Sequence, residues 1–499
     1  MSAVERNILS ILEPKIVLDE LKIPDVESGT ANSGGDAVKE PPSKFLNIIP
    51  QIRINQYDIG DSRLESFTLN CTGFYPTCRF TFYDEDGLFT ARHYPTDGDI
   101  IQLYIRSAGE ETTFKPIRID FTIEDIKPIG GGGSTNESPQ LMVDGRMNIP
   151  NLFTENVEYY NSTSWNALLK IAEKLKLGFA SNVEDTADEQ VWTNPYDTAE
   201  KFIRDITANS YLDENSFFNS YIDPYYNLTL VEANRLFDVT DQDLEASLTY
   251  SQNSGDTFGG GSPEAAEYDS PNVLTNIIQA SGTSRYISTY QQINKSGQIS
   301  KDNGYKRYTQ YWDLTEKKFI SEFVDPIVSE VPGMIPATKG RLVPDENGNL
   351  VPEGPRTEQV KYKYLGTQGD NVHPNFYYSA ILNFQNNAEI EKFGMVLELD
   401  MVNPALTRYS RIYCQIWEFA QPVKDVLLAP SNDENVPSGT QRRAETPENA
   451  GNDASSQAGV INEFLSGFYV IIGIDYFLTE PGPIRQRVHL RRREVVPST

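Results

Sequence analysis

The chain has 499 residues, of which 38% are hydrophobic, 23% charged and 11% aromatic, a composition typical of a folded protein with several domains. Its 71 acidic side chains exceed its 43 Lys and Arg, and the net charge of −28 disfavours stable binding to nucleic acid or anionic membranes. The three cysteines form no Cys-x-x-Cys pair, so the sequence predicts neither a disulfide framework nor a zinc site and fits a reducing compartment.

The N-terminal segment lacks the apolar core and basic flank of a secretory signal, and the chain has no apolar run of the length that a membrane span requires. Residues 1–44 begin with apolar side chains at helical spacing and continue into a segment rich in Gly, Ser and Pro. This pattern predicts an N-terminal arm and linker. The arm is either loose in solvent or docked on a neighbouring subunit.

Residues 45–138 change to a period of two, with short alternating segments separated by turn residues. In one of them Ile117, Ile119 and Phe121 point to one side while the polar residues between them point to the other. Five or more such strands predict a small barrel or sandwich, closed by the flexible loop GGGGSTNES at residues 130–138.

Residues 139–250 predict a mixed α+β domain with two short amphipathic helices. Thr163 or Ser164 is the predicted N-cap of the first helix, and Gly178 is its predicted stop. The second helix is predicted to begin at Asp197, because Glu200 follows three residues later and completes a capping box.

An aromatic hairpin is predicted from Ser216 to Phe237, in the stretch SFFNSYIDPYYNLTLVEANRLF. Strand alternation places Phe217 and Tyr221 on one face, and the Asp-Pro pair predicts the turn. Tyr225 and Tyr226 lie at or just past this turn, where their phenol groups are expected to reach water or a neighbouring subunit. Taken alone the rings are a possible platform for sugars or bases, but the neighbouring capped helices and the lack of catalytic partners favour packing.

Residues 251–356 read as a linker followed by extended β segments, including a Pro-rich hairpin at 331–355 with a predicted turn at Asn347-Gly348. Residues 357–499 predict a second β domain. Its predicted strands include FYYSAILNFQ, and its polar insertion at 429–459 is predicted to be disordered.

The sequence contains no specific catalytic or metal-binding pattern. His93, His373 and His489 lie far apart in the sequence and in no hydrolase or metalloprotease motif. DEDG at 84–87 and DENG at 345–348 lack the twelfth-position glutamate of a calcium loop, and this favours simple turns. The sequence therefore predicts no catalytic, cofactor-binding or metal-binding residue, and no enzyme.

One basic segment contrasts with the acidic composition. Alternation in IRQRVHLRRRE places five basic residues on one strand face, with Arg492 opposite: Arg485, Arg487, His489, Arg491 and Arg493. Two interpretations stay open. The row is either a solvated strand edge, or a docking site for an acidic surface of another copy or of a partner.

Residues 163–237 resemble the baseplate hub protein of contractile bacteriophage tails. The resemblance is carried by a helix ending in Leu-Gly, a Trp-containing segment, a second capped helix and the aromatic hairpin FNSYIDPYYNL. Residues 363–419 agree with it, as do GFYVIIGIDYF and the terminal HLRRREVVP. The likeness covers most of residues 45–497, whereas the N-terminal arm, the Pro-rich hairpin and the 429–459 insertion depart from it.

The resemblance implies a homotrimer with two tube-like β-barrel domains per subunit and an intervening α+β domain. Such a hub joins the tail tube to the central spike, contacts baseplate wedge proteins, and lets DNA pass through its lumen. It has no cofactor, belongs to the virion and assembles in the host cytoplasm. Because the chain ends at Thr499, directly after the second β domain, a separate spike protein is expected.

Glu398 and Asp400 are expected to face the bore, where like-charge repulsion would keep DNA from adhering. Three alternatives remain at this point. They are a cell-wall-degrading tail protein, a receptor-binding tail protein, and the hub of a phage-derived injection particle.

Overall fold

The structure is a computed structural model. It describes residues 7–16, 18, 50–60, 63–105, 115–129, 139–237, 273–276, 285–295, 305–314, 316–324, 342–344, 347, 350–352, 356–368, 372–399, 401–403, 406–418, 460–462, 464–479 and 484–492. Most of these residues are in strands and a few are in helices, so the fold is mainly β with a mixed α+β part, as the sequence predicts. Within these ranges, no helix has the length and apolar character needed to cross a membrane.

The strands are numbered in chain order. Those before residue 240 are β1 Leu9–Leu12, β2 Gln51–Ile54, β3 Tyr57–Ile59, β4 Leu64–Asn70, β5 Thr77–Tyr83, β6 Ile100–Ile105, β7 Ile117–Ile129, β8 Gln140–Met147, β9 Glu155–Ser162, β10 Gly178–Ser181, β11 Gln190–Thr198, β12 Phe218–Ile222 and β13 Asn227–Glu232. Those after it are β14 Val273–Thr275, β15 Ile287–Asn294, β16 Tyr305–Asp313, β17 Lys318–Val324, β18 Leu342–Pro344, β19 Leu350–Pro352, β20 Arg356–Gln368, β21 Phe393–Leu399, β22 Arg411–Gln415, β23 Trp417–Glu418, β24 Val460–Ile461, β25 Gly467–Leu478 and β26 Arg485–Arg491.

The helices are α1 Ser164–Lys174, α2 Ala199–Asn209, α3 Asn234–Phe237 and α4 Phe376–Ile390, and a short π-helix spans Leu88–Arg92. Thr163 caps α1 by accepting a hydrogen bond from the Asn166 amide, as predicted. The second cap is Thr198 and not Asp197, so the predicted capping box with Glu200 is wrong by one residue.

Gly178 does not end α1, contrary to the prediction. Lys176 takes the left-handed conformation after the helix, with φ 60°. Gly178 is instead the first residue of β10, where an added Cβ would collide with the Asn227 side chain and with the Leu12 carbonyl. Position 178 requires glycine, because strands β1 and β13 approach its backbone too closely for a side chain.

A single sheet carries both β units. Its strand order is β15-β21-β26-β25-β4-β5-β8-β7-β6-β2-β3, with β22 paired to β25 and β14 to β22. The two units are joined where β25 pairs with β4, from Asp475 opposite Asn70 to Leu478 opposite Phe67. Strand β8 lies beyond the predicted domain boundary at residue 138 but pairs with β5 and β7, so it belongs to the first β unit.

The mixed unit lies between these two units in the chain. Its four-stranded sheet has the order β1-β10-β13-β12, and β9 and β11 form a separate two-stranded sheet. The residues at helical spacing near the N-terminus form strand β1 on the edge of β10, so the helical pattern predicted there is wrong. An open sheet edge offers hydrogen bonds that a short isolated helix lacks.

The stretch FYYSAILNFQ, predicted as a strand, forms the first part of helix α4. Apolar runs of this kind do not distinguish a buried helix from a buried strand by their period. The run continues through NNAEI, and the resulting fifteen-residue helix packs against α2 and against β16 and β17. Strands β16 and β17 form a further small sheet with β20, in the order β17-β16-β20.

The Pro-rich segment contains the predicted hairpin, because β18 pairs with β19 in antiparallel register. The GGGGSTNES loop and the 429–459 insertion lie outside the described residues. One large apolar cluster extends through the first β unit, the mixed unit and the second β unit, so a continuous core supports all three.

Candidate functional site

The aromatic hairpin formed by β12 and β13 lies where the three units meet. Antiparallel pairing from Phe218 opposite Glu232 to Ile222 opposite Leu228 confirms the predicted hairpin. Phe217 and Tyr221 face a small apolar cluster with Tyr409 and Val470 of the second β unit. The other face contributes Phe218 and Ile222 to the main core. The rings are therefore buried on both faces.

Helix α4 holds the hairpin through two asparagines. The Asn383 side-chain oxygen accepts from the Phe218 amide at 2.8 Å, and its NH₂ group donates to the carbonyls of Ala208 and Ser210 at 3.0 and 2.9 Å. Asn383 thereby satisfies carbonyls at the C-terminal end of α2, which have no partner within that helix. One turn later, Asn387 bonds to Asn219 at 2.6 Å. Both asparagines lie on one face of α4 because they are four residues apart.

Arg408 connects the two β units to the hairpin. Its guanidinium donates to the backbone carbonyls of Ile472 at 2.9 Å, Gly73 at 2.6 Å and Thr72 at 3.2 Å. The same group lies 4.1 Å from the centre of the Tyr221 ring, a favourable cation–π distance. One side chain thus bridges the first β unit, the second β unit and the hairpin.

The turn of the hairpin is attached to the first β unit by its two tyrosines. Tyr226 is buried, and its hydroxyl accepts from the Asp120 amide at 3.0 Å. The expectation that this phenol reaches water or another subunit is therefore wrong. Its backbone has φ 64°, a strained conformation for a bulky residue, which the buried contact maintains. Tyr225 is less buried and donates to the Lys115 carbonyl at 3.0 Å.

A buried carboxylate ends the second strand of the hairpin. Glu232 accepts hydrogen bonds from the amides of Asn234 at 3.0 Å, Arg235 at 3.1 Å and Phe217 at 3.3 Å. Burial raises the pKa of Glu232 to about 7, and these amides and the Arg235 charge offset only part of the effect. This carboxylate holds α3 against the hairpin and titrates near neutral pH.

The three histidines are not brought together. His93 stacks on Tyr57 at 4.5 Å, and His489 pairs with Asp475 at 2.8 Å on another part of the sheet. His373 is buried beside Tyr211 and Phe376, and burial lowers its pKa in spite of the nearby Asp188 carboxylate. Each ring therefore has a local structural environment of its own.

The other candidate chemical groups are also placed apart. Within the part of the chain that the structure describes, no group of three or more His, Cys, Asp or Glu side chains is arranged to hold a metal ion. Cys71, Cys78 and Cys414 are buried, and burial raises the pKa of each thiol. A thiol kept protonated in this way is a poor nucleophile.

Asp84, the first residue of DEDG, acts as a local cap. It is buried and accepts from the Phe89 amide and from the amide and hydroxyl of Thr90, the last two at 2.7 Å. The segment is the structural turn that the sequence favours over a calcium loop. Of the DENG segment, only Asn347 lies within the described residues.

The predicted basic row is neutralised from within the chain. Arg487 pairs with Glu398 at 2.5 Å, His489 with Asp475, and the buried Arg491 with Glu391 at 2.7 Å. Strand β26 lies between β21 and β25, so the interpretation as a solvated strand edge is wrong. The paired charges also weaken the interpretation as a docking site, although Arg485 is exposed and Arg493 lies outside the described residues.

The Glu398 carboxylate is paired with other side chains of the same sheet. Besides Arg487, it accepts from the Thr289 hydroxyl at 3.2 Å. Asp400 lies outside the described residues. The expected repulsion of DNA by Glu398 is therefore reduced by its ion pair, and its orientation toward a channel stays a prediction.

Sequence reasoning missed Asn383, Asn387 and Arg408, which hold the junction. The asparagines form an i, i+4 pair that is visible only when the segment is read as a helix. Arg408 lies in a turn just before β22, and the carbonyls that accept its hydrogen bonds are 64 to 336 residues away in the chain. No local signal identifies such contacts.

Comparison with known sequences gives no match to a protein family or to a curated protein. Among solved structures, the tail protein of Neisseria meningitidis MC58 is similar over 89% of this chain and 96% of its own, with 11% identity and a TM-score of 0.44. The 43 kDa tail protein of prophage MuSo2 from Shewanella oneidensis is similar over 89% and 98%, with 9% identity and a TM-score of 0.42.

An E. coli component of the type VI secretion system, itself described as similar to bacteriophage tail proteins, matches over 90% of this chain and 79% of its own. The identity is 7% and the TM-score is 0.37.

Proposed function

We propose that this chain is a structural protein of a phage tail, and specifically the trimeric central hub of a contractile-tail baseplate. In this role it joins the tail tube to the central spike, contacts wedge proteins, and forms part of the channel through which DNA leaves. It holds no cofactor and performs no catalysis. The virion tail is its site of action.

One observation carries the proposal. The two sequence segments that resemble hub proteins, 163–237 and 363–419, meet in space at the hairpin junction. The first segment supplies the hairpin, and the second supplies Asn383, Asn387 and Arg408. The two segments that resemble hub proteins therefore make the contacts that hold the two β units in a fixed orientation. A subunit that forms part of a ring needs such a fixed orientation.

A second feature is consistent with a ring that transmits force. Both β units belong to one hydrogen-bonded sheet, so no flexible linker separates them where β25 meets β4. A subunit that transmits force between tube and spike needs this kind of continuity.

The test is to localise the protein and to measure its mass. Gold-labelled antibody against the chain is expected to mark the tip of the tail tube in electron micrographs of phage particles. The purified protein, alone or with its candidate spike protein, is expected to have three times the 56.2 kDa chain mass. Labelling of the phage head would overturn the proposal. A monomer that persists both without and with the spike protein would also overturn it.

An assay on purified peptidoglycan separates the hub from the enzymatic alternative. The protein is expected to release no soluble fragments at micromolar concentration, while a lysozyme control does. Release that depends on a single carboxylate of this chain would favour a cell-wall-degrading protein.

A further inference from the structure

His373 lies just before helix α4 and ties the start of that helix to the mixed unit. Its backbone amide donates to the Gln190 side-chain oxygen of β11 at 3.4 Å, and its carbonyl accepts from the Phe376 amide of α4 at 3.0 Å. Its imidazole contacts two other rings, with centres 5.9 Å from Tyr211 and 6.0 Å from Phe376. Tyr211 follows the end of α2, so this one residue connects α4 with β11 and with the end of α2.

The imidazole of His373 is enclosed without partners for its nitrogens. The residue is 4% exposed, and among the described residues neither ring nitrogen has a hydrogen-bond partner. A neutral imidazole carries one N–H group, whereas a protonated ring carries two N–H groups and a positive charge. Burying an unpaired charge costs much more than burying one unpaired N–H group. Protonation therefore opposes the buried position of this ring.

Asp188 is the acid near this ring, and its oxygens are already bonded. Its Oδ1 accepts from the Ser164 amide at 2.8 Å and from the Thr186 hydroxyl at 2.7 Å. Its Oδ2 accepts from the Tyr211 amide at 2.9 Å. All three of these bonds go to groups other than the His373 ring.

The surroundings of His373 favour its neutral form. Burial lowers the pKa of His373 below its ordinary value of 6.5, and the Asp188 charge and the Asn209 backbone offset only part of this effect. The side chains that complete its surroundings on β11, after α2 and on α4 are uncharged: Gln190, Tyr211 and Phe376. Below pH 6.5 an opened state therefore binds a proton that the closed state does not bind. The closed position is fully favoured above pH 6.5 and is lost as the pH falls through the lower, folded-state pKa.

We propose that His373 is an acid-sensitive latch on helix α4. When its ring takes up a proton, the ring leaves its place beside Tyr211 and the start of α4 separates from β11. Because Asn383 and Asn387 lie on the same helix, this movement loosens the contacts that hold the aromatic hairpin. The response belongs to a single chain, so it goes beyond the proposed function and does not require a trimer.

The response has to be measured at α4 itself, because Glu232 acts in the opposite direction. Acid protonates the buried Glu232 carboxylate, whose pKa is about 7, and this stabilises the fold, whereas protonation of His373 destabilises it. The free energy of global unfolding contains both contributions. Hydrogen–deuterium exchange of the backbone amides in Phe376–Ile390, followed by mass spectrometry, reports on the opening of the helix alone.

The test compares full-length wild type with His373→Phe, whose ring can pack on Tyr211 but takes up no proton. His93→Phe is the matched control, because His93 is exposed and stacks on Tyr57 in the first β unit. Exchange is measured at pH 7.5 and pH 5.0 and corrected for the intrinsic pH dependence of amide exchange. In wild type and the control, the corrected exchange of α4 is expected to be several-fold faster at pH 5.0. Its limit is about thirtyfold, set by the roughly 1.5 pH units below 6.5. In His373→Phe the corrected exchange is expected to be the same at both pH values.

A second neutral variant, His373→Gln, covers the case in which Phe does not fit, and circular dichroism at pH 7.5 checks that each variant is folded. Equal corrected exchange of α4 at the two pH values in wild type would overturn the latch, whatever the variants do. A rise that persists in a folded neutral variant would also overturn it, and would assign the acid response to a carboxylate such as Asp188. Neither result affects the hub proposal, which is tested by mass and by location in the particle.

Discussion

At the junction, the rings of Phe217 and Tyr221 are buried, and the surrounding backbone groups are bonded by side chains from distant parts of the chain. On strands β9 and β17, the rings of Tyr159 and Phe319 are more than half exposed. The two regions thus use aromatic residues differently. Directional bonds to backbone fix one geometry within a chain, whereas an exposed ring contributes little free energy to the fold while water covers it. Changes at the junction should therefore lower stability more than changes at the exposed rings.

The largest effect is expected at Arg408. Replacing it with Met removes three hydrogen bonds to backbone carbonyls and the contact with Tyr221, and should lower the free energy of unfolding by about 3–4 kcal/mol. Urea denaturation of the purified variant measures this change. Arg79→Met is the control, because the exposed Arg79–Asp144 pair should contribute less than about 1 kcal/mol. Equal losses in the two variants would contradict the role of Arg408 as a bridge.

Glu232 should make the stability of the junction depend on pH. Its folded-state pKa of about 7 exceeds the ordinary value of 4.5, so between these values the folded state binds more protons than the unfolded state. The contribution of this group to the free energy of unfolding is fully present below pH 4.5. It is lost as the pH rises through about 7, and the total loss is about 3 kcal/mol. The free energy of unfolding is measured from pH 5 to pH 8 for wild type and Glu232→Gln. It should fall more steeply with rising pH in wild type than in the variant. Parallel curves would show that the carboxylate does not titrate in this range.

Asn383→Leu should lower the free energy of unfolding by about 2–3 kcal/mol, because the Phe218 amide and the carbonyls at the end of α2 lose their partner while buried. Asn387→Leu is the matched change one turn later. Its side chain is only partly buried, so the loss should be about half as large. Thermal unfolding followed by circular dichroism compares the pair, and a larger loss at Asn387 would contradict the assigned order.

The smallest effect is expected from Tyr226→Phe, which removes one hydroxyl from the buried contact with the Asp120 amide. The loss should be about 1 kcal/mol, and Tyr225→Phe, whose hydroxyl bonds to an exposed carbonyl, should lose less. Chemical denaturation resolves this difference. Indistinguishable variants would indicate that water replaces the Tyr226 hydroxyl.

Local pattern was sufficient for several elements of the fold. The alternation around Ile117 predicts β7, the Thr163 cap predicts the start of α1, and the Asp-Pro turn predicts the aromatic hairpin. These signals depend on side chains within a few residues of one another. They also predict that the hairpin rings pack instead of forming an active centre, and the buried rings agree with that interpretation.

Other predictions failed because the deciding interactions are distant in sequence. The residues Phe376–Ile390 form a helix and not the predicted strand, since their apolar run suits either structure and its contacts with α2 and β16 decide between them. The basic row is not the solvated strand edge that was one of its two interpretations, because β26 lies between β21 and β25, and Glu398 of β21 and Asp475 of β25 pair with two of its residues.

The sequence by itself determined the alternation of strands such as β7, the Thr163 cap of α1 and the turn of the aromatic hairpin, because each follows from the backbone preferences of neighbouring residues. Only the tertiary structure decided that β25 pairs with β4, that Arg408 reaches Gly73, and that Asn383 caps α2. These contacts depend on which segments pack into the same core. The local sequence pattern of one segment does not encode which distant segment packs beside it.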